Sequence, residues 1–214
     1  GNGLLKFTAI IERGMDIGEV YLENEKVSWN RDLKYLLHPD NVDLAKNNGT
    51  GWLDGFYPSV AAIGPELFGT PGEGFTLHGS GSYSPANPDS VTISAGDDSV
   101  FVSAVVLIKD SFKNPIFEKR VKITTYYNSA SIIREEITKN ISPEERVLDD
   151  GLHIQMCGSF LENGGTYVLP VHRWEMLLRD SAPRETDPLY IYPLSEGPVP
   201  IRCYQYVPRP VRGF

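Results

Sequence analysis

Cysteine is nearly absent: the 214 residues contain two, Cys157 and Cys203. That excludes a disulfide-rich scaffold and a four-cysteine zinc site, and leaves either one disulfide between them or two buried thiols. Histidine is scarce as well. The four, His38, His78, His153 and His172, show no short ligand spacing, so no metal site is expected. Positive charge is in deficit, with 20 Lys+Arg against 28 Asp+Glu and a formal net charge of −8. A domain this acidic repels a phosphate backbone, which argues against nucleic acid as a partner. No run of about 20 apolar residues occurs, so no membrane association is expected. The start, Gly1-Asn2-Gly3, lacks a basic segment followed by an apolar one, so no signal peptide is visible there. The compartment stays open, with the cytoplasm favoured over the periplasm. Also missing are GxxxxGK[ST], GxGxxG between strand and helix, HExxH, CxxC and GxSxG, which removes the common nucleotide, zinc-protease, redox and nucleophile-elbow readings.

What is present is a period of two. Leu4 to Ile11, Ser99 to Ile108, Phe117 to Tyr127 and Ser131 to Thr138 alternate or run apolar with β-branched residues, as neighbouring antiparallel strands do. Glu19–Leu22 and Lys26–Trp29 flank a polar turn, and Leu152–Cys157 and Thr166–Leu169 add two more strands. An edge strand is expected at Ile201–Val207. Helix signals are few: a cap-like Ser142-Pro143-Glu144-Glu145 and one turn within Asn41 to Asn47. Hydrophobic residues at 41% over this length suit one sizeable core, so residues 1–214 are expected to form a single all-β domain. Glycines crowd Gly49 to Pro88, a long loop region of the kind that carries a site on a rigid sheet.

Three segments have chemistry to offer. Arg13-Gly14-Met15-Asp16-Ile17-Gly18 follows a strand, and its guanidinium and carboxylate suit a polyhydroxylated ligand by donating and accepting. The blander reading is a turn with an internal Arg–Asp pair, and it is favoured locally. His78, at the end of Phe75-Thr76-Leu77-His78 beside Gly79, can reach a cleft or bond a loop carbonyl. His153 lies inside a strand pattern with Gln155 on the same face, and an imidazole suits proton transfer near neutrality. Of the aromatics, 11% of the chain, one or two could form a flat face for a sugar ring; Trp52 is the candidate.

Together these pieces resemble the aldose 1-epimerase-like family of unknown function in the galactose mutarotase-like superfamily. They are RGMDIG with VYLENEKVSW (Arg13 to Trp29), GTPGEG…LHG (Gly69 to Gly79) with Ser84-Pro85-Ala86, and LHIQMCG with its turn and YVLP (Leu152 to Pro170). The resemblance implies a β-supersandwich of large antiparallel sheets. It implies a monosaccharide or sugar derivative as ligand, no cofactor, and His153 and His78 as catalytic residues. Arg13, Asp16, Gln155 and Trp52 are expected from their own chemistry to bind substrate. In such mutarotases a histidine protonates the ring oxygen and a C-terminal Glu deprotonates the anomeric hydroxyl. Family members run longer at the C-terminus, where that base belongs, so the domain is expected to lack its C-terminal part. Glu175, Glu185 and Glu196 match no base pattern. An isomerase interconverting sugar anomers is the leading expectation. A non-catalytic carbohydrate-binding protein of the same fold is the alternative, and a homodimer through an open sheet edge is a further expectation.

Overall fold

The computed structural model describes residues 1–34, 36–66, 69, 71–72 and 74–155, and further on the backbone of four strands. The chain, expected as one domain, divides into two compact units, Gly1–Cys157 and Gly158–Phe214. No helix among the described residues is long and apolar enough to cross a membrane.

Among the described residues the first unit holds nine strands: β1 (Leu5–Ile10), β2 (Asp16–Leu22), β3 (Glu25–Lys26), β4 (Val60–Ile63), β5 (Thr92–Ala95), β6 (Ser99–Lys109), β7 (Pro115–Tyr126), β8 (Ile133–Asn140) and β9 (Gly151–Ile154). They make two antiparallel sheets. One runs β1-β2-β4-β9 with β3 on β2, the other β5-β6-β7-β8. The alternation on β6 and β7 turns Ala104, Val106, Ile108, Phe117, Val121 and Ile123 inward, where they pack with Met15 and Ile17 at the start of the other sheet. That shared core makes the unit an all-β sandwich.

The opposite face of β4 is covered by loops. Ala61 and Ile63 pack there under Trp52 and Tyr83, with Val42, Leu44, Phe56 and Leu77 around them. The expected helical turn appears as a short 3-10 turn at Pro39–Asn41 and a turn at Lys46–Gly49. The latter is broken by left-handed Asn47 and Asn48. Ser142-Pro143-Glu144-Glu145 forms no helix; the Ser142 hydroxyl instead bonds Asn140 Oδ1 at 2.7 Å and the Glu144 carbonyl at 3.0 Å. The strand expected at Lys26–Trp29 is cut to Glu25–Lys26, and Ser28 Oγ accepts from the Val20 amide at 2.9 Å.

In the second unit β10 (Thr166–Val168) pairs with β12 (Leu189–Ile191), and β11 (Val171–Met176) with β13 (Tyr204–Pro208), all antiparallel. The expected edge strand near Ile201–Val207 is thus β13, shifted a few residues. Cys157, Cys203, Glu185 and Glu196 lie outside the described residues.

Candidate functional site

His153 sits on β9 directly opposite Ala61 of β4. Cross-strand partners share a face, so its ring points to the loop-covered side, toward Trp52. His78 comes from the Gly-rich segment. Its amide donates to the Gly69 carbonyl at 2.9 Å and its carbonyl accepts from Gly64 at 2.9 Å. These bonds hold it next to the end of β4. The two imidazoles, 75 positions apart in sequence, therefore meet, with ring centroids 5.3 Å apart and planes at 63°.

Aromatic rings back the pair. Trp52 lies 5.0 Å from His78 and 5.9 Å from His153, and Phe56 lies 5.5 Å from His153 edge-on. Phe56 stacks on Trp52 at 4.7 Å, and Trp29 continues the row at 5.8 Å from Phe56. Trp52 is 1% exposed, so it forms the wall behind the histidines and its faces are already used. The most exposed aromatic of this row is Trp29, 38% exposed. Phe56 and Trp29 are site residues that sequence reasoning did not select. Phe56 stands in Gly55-Phe56-Tyr57, a loop aromatic with no period to mark it.

Gln155 meets the expectation that it shares the His153 face, but it acts on the histidine. Its amide nitrogen, in the orientation that satisfies both groups, donates to the Pro58 carbonyl at 2.7 Å and the Ser59 carbonyl at 2.9 Å, and its oxygen accepts from His153 Nδ1. The proton is thereby assigned to Nδ1 in the neutral ring. Nε2 is left as the atom that can take or give a proton.

Burial lowers the pKa of His153, and it lowers that of His78 to about 4, with the neighbouring His153 adding to the effect. In both rings burial thus favours the neutral form. His78 Nδ1 and Trp52 Nε1 are buried without a hydrogen-bond partner. Among the described residues no carboxylate is hydrogen-bonded or ion-paired to either ring, and no metal-binding cluster of three or more His, Cys, Asp or Glu occurs. Glu175 lies on β11 in the second unit. A cavity of about 1010 Å³ elsewhere is lined by residues including Glu66, Ser80, Tyr83 and Arg146 and touches neither histidine.

Backbone conformation marks His78 too. Its φ is +58°, a region that costs an L-residue on the order of 1–2 kcal/mol. Asparagine tolerates this region and β-branched residues do not. His78→Val is therefore expected to be about 1–2 kcal/mol less stable than His78→Asn, read from the two urea midpoints. Equal midpoints would remove the backbone argument.

Arg13 and Asp16 are placed differently from a ligand-facing pair. Arg13 is 1% exposed. Its Nε donates to the Ser82 carbonyl at 2.9 Å and one terminal nitrogen to the Gly55 carbonyl at 3.0 Å, and the guanidinium lies 4.0 Å over the Tyr83 ring. Asp16 is fully buried and accepts from the Ala62 amide at 2.7 Å and from the Ser82 hydroxyl. Burial raises its pKa to about 7 against the opposing pull of those bonds and of Arg134 and Arg13. The tight turn between them needs Gly14: at φ +60°, a Cβ there would stand 2.3 Å from the Gly81 carbonyl oxygen. Both side chains are engaged by the protein's own groups, and burial, which the sequence pattern does not display, is what moves them from ligand contact to loop architecture.

The sheets, their shared core and the covered face of β4 define an all-β, mutarotase-like sandwich with an aldose 1-epimerase-like fold. The profile of the family described as a domain of unknown function (DUF4432) matches residues 1–193; the chain belongs to that family. A crystal structure from Klebsiella pneumoniae subsp. pneumoniae MGH 78578, described as a putative aldose 1-epimerase, superposes with a TM-score of 0.58 at 18% identity. The match covers 81% of this chain and 44% of that one, so the chain spans less than half the length of that relative. No curated protein matches the chain significantly.

Proposed function

We propose that this protein binds a free aldose or an aldose derivative at the His78–His153 pair and interconverts its anomers. The observation that carries this reading is the convergence of two half-buried imidazoles, 5.3 Å apart, from distant segments. The likeness to a putative aldose 1-epimerase supports it at the level of fold. In the proposed reaction the imidazolium form of His153, with Nδ1–H held by Gln155 and a second proton on Nε2, gives the Nε2 proton to the ring oxygen as the C1–O5 bond breaks. A carboxylate takes the proton of the anomeric hydroxyl, which becomes the aldehyde carbonyl. Rotation about C1–C2 and reclosure, with both transfers reversed, yields either anomer. The exposed Trp29 offers an apolar face for ring C–H groups. No cofactor takes part in these steps.

The lack of a carboxylate partner for either ring among the described residues favours a second reading, a carbohydrate-binding protein without catalysis. Saturation-transfer NMR separates the two. Anomer exchange of glucose, galactose and other free aldoses is expected to quicken in proportion to protein concentration. Sugar binding with exchange left at its spontaneous rate would establish the second reading, and no binding at all would overturn both.

A further inference from the structure

β2 and β4 are neighbours in the sheet, yet they share a single registered pair, Ile17 with Val60. Side chains supply the rest of the seam. On one side of that pair, Ser59 Oγ lies 3.0 Å from the Ile17 carbonyl and 2.7 Å from that of Gly18. On the other, one oxygen of Asp16 accepts from the Ala62 amide at 2.7 Å, a donor that an unpaired strand would leave orphaned in a buried place. Its second oxygen accepts from Ser82 Oγ.

Those two oxygens grip the two supports of the histidine pair. Ala62 is on β4 next to Ala61, whose cross-strand partner is His153. Ser82 is four residues beyond His78, in the 3-10 turn Gly81–Tyr83. That turn is bound to the end of β4 by the Gly81 amide, which donates to the Gly64 carbonyl at 2.8 Å, while Gly64 donates to the His78 carbonyl. Gly81 is so close to β4 that a Cβ on it would stand 2.9 Å from the Gly64 oxygen and 3.0 Å from that of Ala62. Arg13 binds the Ser82 carbonyl and hydroxyl from the far side, and Arg134 donates to the carbonyls of Gly14 and Met15, just ahead of Asp16.

We infer that Asp16 is a positioning residue for the histidine pair: one carboxylate, held at a turn, fixes β4, on which the His153 strand β9 is registered, and the loop that carries His78 relative to each other. The geometric part stands on these bonds alone; its consequence for catalysis rests on the function proposed above. Asp16 touches no substrate atom in this role. A negative charge is not what the role requires, since an amide oxygen can accept from Ala62 equally.

The experiment is an NMR titration of the His78 and His153 imidazole signals in the full chain, for wild type, Asp16→Ala, Asp16→Asn and Ile123→Ala. Asp16→Ala is expected to move both titration midpoints by ~0.5 unit or more, because burial and the mutual spacing of the rings set those midpoints. Asp16→Asn, which keeps an acceptor for Ala62, is expected to restore the His153 midpoint. Ile123→Ala weakens the core under β7 and is expected to leave both midpoints alone, which separates positioning from lost stability. Unchanged midpoints in folded Asp16→Ala would overturn the inference. Should that variant not fold, Ser82→Ala decides: it releases the His78 branch only, so His78 is expected to move and His153 to stay, and a stationary His78 overturns the inference. The titrations read the geometry whether or not wild type accelerates anomer exchange, so failure of the functional proposal registers separately.

Discussion

His153→Ala is expected to slow protein-catalysed anomer exchange on the order of 10² to 10⁴-fold, the usual worth of a general acid. The reason lies in the tautomer. The Gln155 oxygen accepts the hydrogen bond of Nδ1–H, so Nε2 is the one ring nitrogen free for transfer, and removal of the imidazole removes it. Sugar binding should survive better than turnover, because Trp29 and Phe56 remain. The pH dependence has a definite sign. A general acid works in its protonated form, and burial holds the His153 pKa below 6.5. The rate per bound sugar should fall as pH rises above that lowered value. Stopped polarimetry or exchange NMR across pH 5 to 8, values chosen to bracket an ordinary histidine, measures it. A rate that instead climbs with pH through this window would make His153 the base, and a loss below about threefold would take it out of the proton transfer altogether.

The largest expected effect on stability lies away from the histidines. Lys119 of β7 is 1% exposed, and its ammonium lies 3.1 Å from Glu136 and 2.5 Å from Asp150. Glu136 also pairs with Arg134 at 2.5 Å, and Asp150 accepts from Thr138 Oγ1 at 2.7 Å. Lys119→Ala would leave the half-buried Asp150 without its cation, and breaking one side of such a pair costs about 3–5 kcal/mol. Asp150 immediately precedes β9, so the loosened end is the strand that carries His153. Urea denaturation is expected to show the full loss in Lys119→Ala. The double variant Lys119→Met, Asp150→Asn should recover part of it, since it buries neither charge. A loss under about 1 kcal/mol, the range of exposed pairs, would mean the network is solvated in solution.

Period-two alternation made the central strands legible. β6, β7 and β8 were readable because Ser99 to Ile108, Phe117 to Tyr127 and Ser131 to Thr138 are long and rich in β-branched residues. β4 was not: Val60-Ala61-Ala62-Ile63 is four residues inside a glycine-rich stretch, and short apolar runs carry no readable period. β5 is equally short, and its Ile93 is 76% exposed, so it lacks the buried face that creates alternation. At the site, the i+2 relation put Gln155 on the face of His153 from sequence alone, and the resemblance pointed to both histidines. The roles of Arg13, Asp16 and Trp52 were not legible. A polar pair between glycines and a loop tryptophan look the same in sequence whether they meet solvent or the inside of a turn.

By itself, then, the chain of residues determined an all-β domain, strand by strand wherever alternation ran for eight residues or more, and two imidazoles with chemistry to spare. Local order can do that because strand formation depends on which side chains fit a half-buried pleat. Tertiary structure alone decided that the imidazoles meet, that Trp52 stands behind them, and that Asp16 is sealed beneath. Those outcomes depend on the register of β4 against β2 and β9, and register is set by contacts between segments more than 40 positions apart, which no local pattern encodes.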